Sequence, residues 1–190
     1  MGIEAIKVKP DESNSLTQAN CIHGHVLKSG FGDHGLLVLS NYQVHVYSKR
    51  NDYEAARSVF DGMPQRNVFL WTVMIVASNE HSYYRDGVEL FCMMLDQGML
   101  PDGFAFSAVL QLCVGLDSVE LGEMVHAHVV VTRFFMHTIV GTSLLNMYAK
   151  LGENENSVKV FNSMPVRNIV SWNAMISGFT SNTYKHLIEA

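Results

Sequence analysis

Proline is scarce, at 4 of 190 residues. That suits helices joined by short turns and argues against a sandwich of many strands. Long apolar runs are missing too. The most apolar stretch, Met124 to Phe135, is interrupted by His126, His128 and Arg133 and is too short to span a bilayer. No membrane partner is expected. The three cysteines, Cys21, Cys92 and Cys113, lie far apart with no CxxC. They read as reduced, mostly buried thiols. Residues 1–10 have neither the apolar core of a secretory signal nor the Arg- and Ser-rich character of an organelle leader. The expectation is a cytosolic chain or one lacking its true N-terminus. Positive charge is thin: Lys+Arg 13 stand against Asp+Glu 18, a net charge of -5. That counts against a strong nucleic-acid binder, because phosphate contacts need Lys and Arg.

Catalytic and metal constellations are also missing. No His is followed two places later by Glu, and no two Cys are close, so the zinc set of a deaminase is absent. His23 with His25, and His126 with His128, stand at i and i+2, which on a helix point to different sides. A structural or solvated role is expected, with no metal and no cofactor. Gly30-Phe31-Gly32-Asp33-His34-Gly35 fits GxGxxG literally, but a helical stretch rather than a strand precedes it. The glycines are read as a long turn, and no small-molecule substrate is expected.

What the chain does have is an internal repeat. Residues 59–75 read VFDGMPQRNVFLWTVMI and residues 160–176 read VFNSMPVRNIVSWNAMI, identical at nine of seventeen positions at an offset of 101. Tyr47-Ser48-Lys49 recurs as Tyr148-Ala149-Lys150 at the same offset, and His23-Gly24-His25-Val26 as His126-Ala127-His128-Val129 at 103. The offset divides into units of 31, 35 and 35, with ends at Asn67, Asp102, His137 and Asn168. The expected organisation is a tail at 1–14, a partial repeat at 15–36, a short unit at 37–67, a standard unit at 68–102, a long unit at 103–137, a short unit at 138–168 and a truncated standard unit at 169–190.

Each unit reads as two amphipathic helices. Ala55, Ala56, Val59, Phe60 and Met63 fall on one stripe, as do Val88, Phe91, Met94 and Leu95. Asn51 with Glu54, and Asp117 with Glu120, look like capping boxes opening the second helices, and Gly152 takes the corresponding place later. Pro64, Pro101 and Pro165 follow the second helices, where the chain must leave the helical conformation. Met63, Met94, Met147 and Met164 read as core filling, and Trp71 and Trp172 as residues packed between helices. One hairpin cannot bury its stripe alone, so neighbours must stack.

The Met-Pro-x-Arg-Asn-(Val/Ile)-x-x-Trp-x-x-Met-Ile blocks at 63–75 and 164–176, with Asn146-Met147-Tyr148-Ala149-Lys150 and Gly98-Met99-Leu100-Pro101-Asp102, resemble the plant pentatricopeptide repeat family. The alternating lengths are similar to its subclass of standard, long and short repeats. The resemblance implies an all-α fold, a right-handed α-solenoid of stacked antiparallel helix hairpins. It implies a non-enzymatic reader of single-stranded RNA in mitochondrion or chloroplast, acting in RNA processing or C-to-U editing. An editing enzyme or other protein supplied in trans is the further implied partner, since the chain looks truncated and without the family's C-terminal editing domains.

In this family the fifth and last residues of a unit face a base edge, and the second wedges between bases. Carried over by position, the base-reading residues are Asn41 with Asn67, Thr72 with Asp102, Thr142 with Asn168, and Asn173, whose partner is missing. The wedges are Val38, Phe69, Ile139 and Val170. The long unit offers Ser107 and His137, a poor match. The implied preference is 5′-C-G-x-A-3′. Two competing readings remain: a protein–protein scaffold, which the acidic balance suits, and a truncated paralogue without function.

Overall fold

A computed structural model describes the backbone of residues 33–188 and the side chains of residues 41–180. The expected tail, most of the partial repeat, His23, His25, Cys21 and the side chain of Val38 lie outside the described residues. Among the described residues all regular structure is helical: α1 (Asp33–Lys49), α2 (Tyr53–Asp61), α3 (Val68–Glu80), α4 (Tyr84–Asp96), α5 (Gly103–Gly115), α6 (Val119–Val131), α7 (Thr138–Lys150), α8 (Asn154–Ser163) and α9 (Ile169–Ile188), with a 3-10 turn at Phe134–Met136. The chain divides into two compact units, Met1–Arg66 and Asn67–Ala190.

In the first unit α1 packs on α2. Val44, Tyr47, Tyr53, Ala56 and Phe60 are buried. Of the glycines expected in a long turn, only Gly35 lies within the described backbone, and it is helical. Helix α1 begins at Asp33 and takes in Gly35, while Gly30 to Gly32 lie outside the described residues. One helical glycine costs only about 1 kcal/mol, and the leucines that follow are good helix formers.

In the second unit α3–α4, α5–α6 and α7–α8 are hairpins. Each first helix packs on the next: α3 on α5, α5 on α7, and α7 on α9. Helix α5 also touches α4 and α6. It is covered on several sides and carries no charged residue, with Ala105, Phe106, Ala108, Val109, Leu110, Leu112 and Cys113 all buried. The second helix α4 has a single apolar stripe instead, burying Gly87, Leu90, Phe91 and Met94. Where α9 crosses α7, a Cβ added at Gly178 would come 2.6 Å from the Ala149 Cβ. Glycine there lets the two helices close. Helix α9 runs on to Ile188 without a hairpin turn.

The core residues fall largely as their pattern suggests. Met63, Met94, Met147 and Met164 are buried, and so is Trp71. Trp172 packs edge-on against Phe161, with ring centroids 4.7 Å apart, and leaves its other side exposed. Cys113 is buried, but Cys92 is exposed, contrary to the expectation of a buried thiol. It lies on α4 between the stripe residues Phe91 and Met94, on the side that faces away from the core.

Hairpin turns follow one design. Asn51, Ser82, Asp117 and Gly152 take left-handed backbone, with φ of 66°, 63°, 51° and 84°. The next residue's N–H then donates to the carbonyl five places back: Asp52 to Tyr47, Tyr83 to Ser78, Ser118 to Cys113 and Glu153 to Tyr148, at 2.8 to 3.1 Å. This corrects the expected capping boxes. Asn51 and Asp117 end the first helices, because Asn and Asp tolerate left-handed backbone better than most residues. The caps are one place later: Asp52 accepts from Ala55 N–H at 3.1 Å, and Ser118 from Leu121 N–H at 3.3 Å.

The repeated Met-Pro-x-Arg-Asn block has a structural basis. Arg66 Nε donates to the Phe60 carbonyl at 2.9 Å and Arg66 Nη2 to the Asp61 carbonyl at 3.0 Å, closing the end of α2. Its guanidinium stands 4.7 Å from the Phe60 ring centroid. Arg167 repeats this on Phe161 and Asn162 at the end of α8. A planar fork can meet two carbonyls and an aromatic face at once, and a lysine cannot. Arg66→Ala is expected to lower the unfolding free energy by about 2 kcal/mol, from two charge-assisted hydrogen bonds and one cation–π contact. Arg66→Lys should recover less than half of it in denaturant titration; full recovery would refute the two-carbonyl account.

A second prediction concerns α6 against α7. His126 Nδ1 lies 3.0 Å from the Tyr148 hydroxyl. Burial lowers the His126 pKa against an opposing pull from Glu123. Burial, then Glu123, Glu153 and Cys113, push Tyr148 up to about 12. A histidine with a lowered folded pKa is held neutral, so the unfolded chain takes up its proton first. This contribution is fully present above the ordinary value of about 6.5 and is lost as pH falls below it. The urea midpoint should drop between pH 7 and pH 5.5, and His126→Gln should flatten that drop. A variant with the same slope as the parent would remove His126 from the explanation.

Candidate functional site

The first helices of the second unit present the same register to the outside. Their second places hold Phe69, Phe104, Ile139 and Val170, which are 55%, 66%, 57% and 54% exposed. Large apolar side chains this open are normally scattered, and here they recur at one position of successive packed helices. Phe104 was not among the expected wedges. Its spacing shows the omission: it stands 35 residues after Phe69 and 35 before Ile139.

The fifth places differ in what their polar atoms already do. Thr72 is buried and its Oγ1 donates to the Val68 carbonyl at 2.9 Å. Ser107 Oγ lies 2.8 Å from Ser143 Oγ on α7. Thr142 Oγ1 is buried with no hydrogen-bond partner. Asn173 is exposed on α9. In the first unit, Asn41 on α1 is half-buried, and its Oδ1 is buried without a partner.

The last-residue candidates all sit at helix N-termini. Asn67 Oδ1 accepts from Leu70 N–H at 2.9 Å and so caps α3. Asp102 Oδ1 accepts from Ala105 N–H at 2.8 Å and caps α5. Asn168 Oδ1 accepts from Ser171 N–H at 2.9 Å and caps α9. Each cap contributes about 1 kcal/mol and fixes the side chain's orientation. His137 precedes α7 without a side-chain cap, and its ring stacks on Phe134 at 5.1 Å.

Charge is segregated. Glu80 is the sole acidic residue of α3, α5 and α7. The second helices α4, α6 and α8 carry Asp86, Glu89, Asp96, Glu120, Glu123 and Glu155. A cleft of about 400 Å³ crosses the C-terminal ends of α3, α5 and α7. Asn79, Gln111, Ser143, Asn146 and Lys150 line it, and none of its lining residues is acidic. Asn79 Nδ2 donates to Gln111 Oε1 across it at 2.8 Å. Away from this layer, His126 is tied to Tyr148 while His128 lies beside Phe106, so the two histidines serve different contacts. Among the described residues no three His, Cys, Asp or Glu side chains cluster as metal ligands would.

Known proteins can be set beside this geometry. The family model described as PPR repeat matches residues 44–68, 69–99, 142–169 and 170–184, just over half of the chain. Pentatricopeptide repeat-containing protein At3g16610 of Arabidopsis thaliana is 37% identical over 170 residues, 88% of this chain and 26% of that protein. At3g53360, mitochondrial, from the same plant is 31% identical over 88% of this chain and 22% of its own length. At1g11290, chloroplastic, is 35% identical over 85% and 20%. The chain thus spans about a quarter or less of these relatives. The crystal structure of the pentatricopeptide repeat protein PPR10 in complex with an 18-nt psaJ RNA element matches with a TM-score of 0.63 at 13% identity, covering 92% of this chain and 28% of PPR10. At that identity the likeness shows the fold, one of stacked helix hairpins. With four repeat matches and relatives above 30% identity along most of its length, the chain belongs to the pentatricopeptide repeat family.

Proposed function

We propose that this chain binds single-stranded RNA on its first helices, one base per hairpin, as a specificity factor in organelle RNA processing or C-to-U editing. The observation that carries this reading is the exposed row Phe69, Phe104, Ile139 and Val170 on helices nearly free of acid. Every base has an apolar π face, and stacking on aromatic side chains such as Phe69 and Phe104 is worth about 1–3 kcal/mol per base. The net charge of -5 is no objection where the acids sit on the second helices. PPR10 with its bound RNA element supports the ligand, and relatives named mitochondrial and chloroplastic support the organelle. Chemistry on the RNA is assigned to an enzyme or other protein supplied in trans.

The base preference is the one the family resemblance implies, and the hydrogen bonds already made are compatible with it. Thr72 gives its proton to Val68, and Asp102 is a carboxylate with one oxygen on Ala105 N–H. Both are left as acceptors. Guanine alone offers two adjacent donors on its Watson–Crick edge, so this pair selects G. Asn168 spends its amide oxygen on Ser171 and keeps its NH₂ group, while the Thr142 hydroxyl is uncommitted. A donor beside a hydroxyl of either polarity fits adenine, with N1 next to its amino group. Asn67 likewise keeps its NH₂ donors, which suit the acceptors of cytosine. The proposed site is 5′-C-G-x-A-3′, with Val38 and Val170 as outer wedges and Asn173 beginning a further place.

Two measurements test this. Affinity for such an RNA should fall as salt rises, with a shallow log–log slope of about -0.7 per neutralised phosphate. Salt-independent capture, or no binding, would favour a protein scaffold or a non-functional paralogue. Thr72→Asn adds a donor beside Asp102, a pair that fits the O4 and N3–H of uracil. It should move the second base from G toward U by about tenfold, since one hydrogen bond contributes about 1.4 kcal/mol. An unmoved preference for G would reject the assignment.

A further inference from the structure

The third hairpin holds its base without reading it, and we infer that Ser143 is what keeps it ready to read. This inference rests on the RNA-binding reading above. Ser143 Oγ donates to the Ile139 carbonyl at 3.0 Å, which spends its single proton. With the Ser143 proton placed on Ile139, Ser107 is the donor in the 2.8 Å contact between the two hydroxyls. Ser107 is left as an acceptor only, with its oxygen held toward α7.

Ser143 does for Ser107 what branching does for Thr72. Thr72 has a second heavy atom on Cβ, which restricts χ1, and it makes its own bond to Val68. Serine has no branch and rotates among three staggered wells unless a neighbour holds it. The place that Asn67, Asp102 and Asn168 fill with an amide or carboxylate is filled by His137 here. That ring stacks on Phe134 and caps nothing.

One acceptor cannot choose among bases, because the Watson–Crick edge of each carries at least one N–H. Stacking remains, since Phe104 is the most exposed of the row at 66%. The third place is therefore a neutral spacer that binds any base through its face. It lacks only a second acceptor to become a reader of guanine. Ser143 is a positioning residue: it touches Ser107, not the RNA.

The test uses four RNAs differing only at the third base, with the second and fourth bases varied in parallel. The parent should bind all four within about twofold. His137→Asp supplies the missing carboxylate beside Ser107, repeating the Thr72–Asp102 pairing, and should create a G preference of about tenfold. It should also raise thermal stability by capping α7, which reports on the fold independently of RNA. In the His137→Asp background, Ser143→Ala should cut that preference by fivefold or more. A parent that already discriminates at the third base overturns the inference. So does a G preference that survives Ser143→Ala. Preferences intact at the second and fourth bases would confine that failure to Ser143. Their absence as well would overturn the RNA reading and this inference with it.

Discussion

An uncharged helix such as α5 persists in water only when neighbours cover it. Gly103–Gly115 is covered by α3, α4, α6 and α7, and seven of its thirteen residues are buried. Full burial of one large aliphatic or aromatic side chain is worth about 1.5–3 kcal/mol, so this burial contributes strongly to what holds the second unit together. It also dictates where charge can go. Apart from Glu80 at the end of α3, acidic residues are absent from α3, α5 and α7 and collect on the second helices, which keep one face in water. The low acid content of the candidate interface is thus a by-product of packing. That is why an overall acidic chain can still present a layer of first helices nearly free of carboxylates.

Packing of this kind leaves few places for side-chain chemistry, and the turn geometry sets which ones. A left-handed residue follows the starts of α3, α5 and α7 by the same fourteen residues, at Ser82, Asp117 and Gly152. Equal first helices stacked side by side place equal positions in a row. Second and fifth places therefore line up whether or not the second helices match in length. The variable length lies after the turn, in α2 and α8 against α4 and α6 with its 3-10 turn. Arg66 and Arg167 close the two short versions, doing with a side chain what the longer units do with an extra turn of backbone.

The helical class was legible in the period of the apolar residues, and the Met-Pro-x-Arg-Asn block was legible as a marker without its reason. What misled was local chemistry with two solutions. Asn51 and Asp117 suit a helix cap and a left-handed turn equally well, and only the neighbouring Asp52 and Ser118 decide between them. Phe104 was legible by spacing, 35 residues from both Phe69 and Ile139. The hydrogen bonds from Thr72 to Val68 and from Ser107 to Ser143 were not legible. The first depends on a rotamer, and the second joins residues 36 apart in sequence. Cys92 shows the limit of composition, since a residue type that is usually buried faces solvent once its helix position is known.

In the proposed reading the caps tie stability to recognition in one residue. Asn and Asp are among the best helix caps because a short side-chain oxygen reaches an unpaired N–H. The same oxygen, once engaged, leaves a defined remainder: an NH₂ group on Asn67 and Asn168, and a second carboxylate oxygen on Asp102. Capping thus fixes which polarity faces outward and immobilises it without any further contact. A hydrogen-bonding group that is already ordered loses little entropy when it meets a ligand, so its selectivity is close to its full bond strength. A longer side chain such as Gln or Glu would reach as far but would be neither a cap nor rigid. Short polar residues at these positions are what capping requires and what the proposed base reading uses, and His137, which makes no side-chain cap to α7, is the exception among the four.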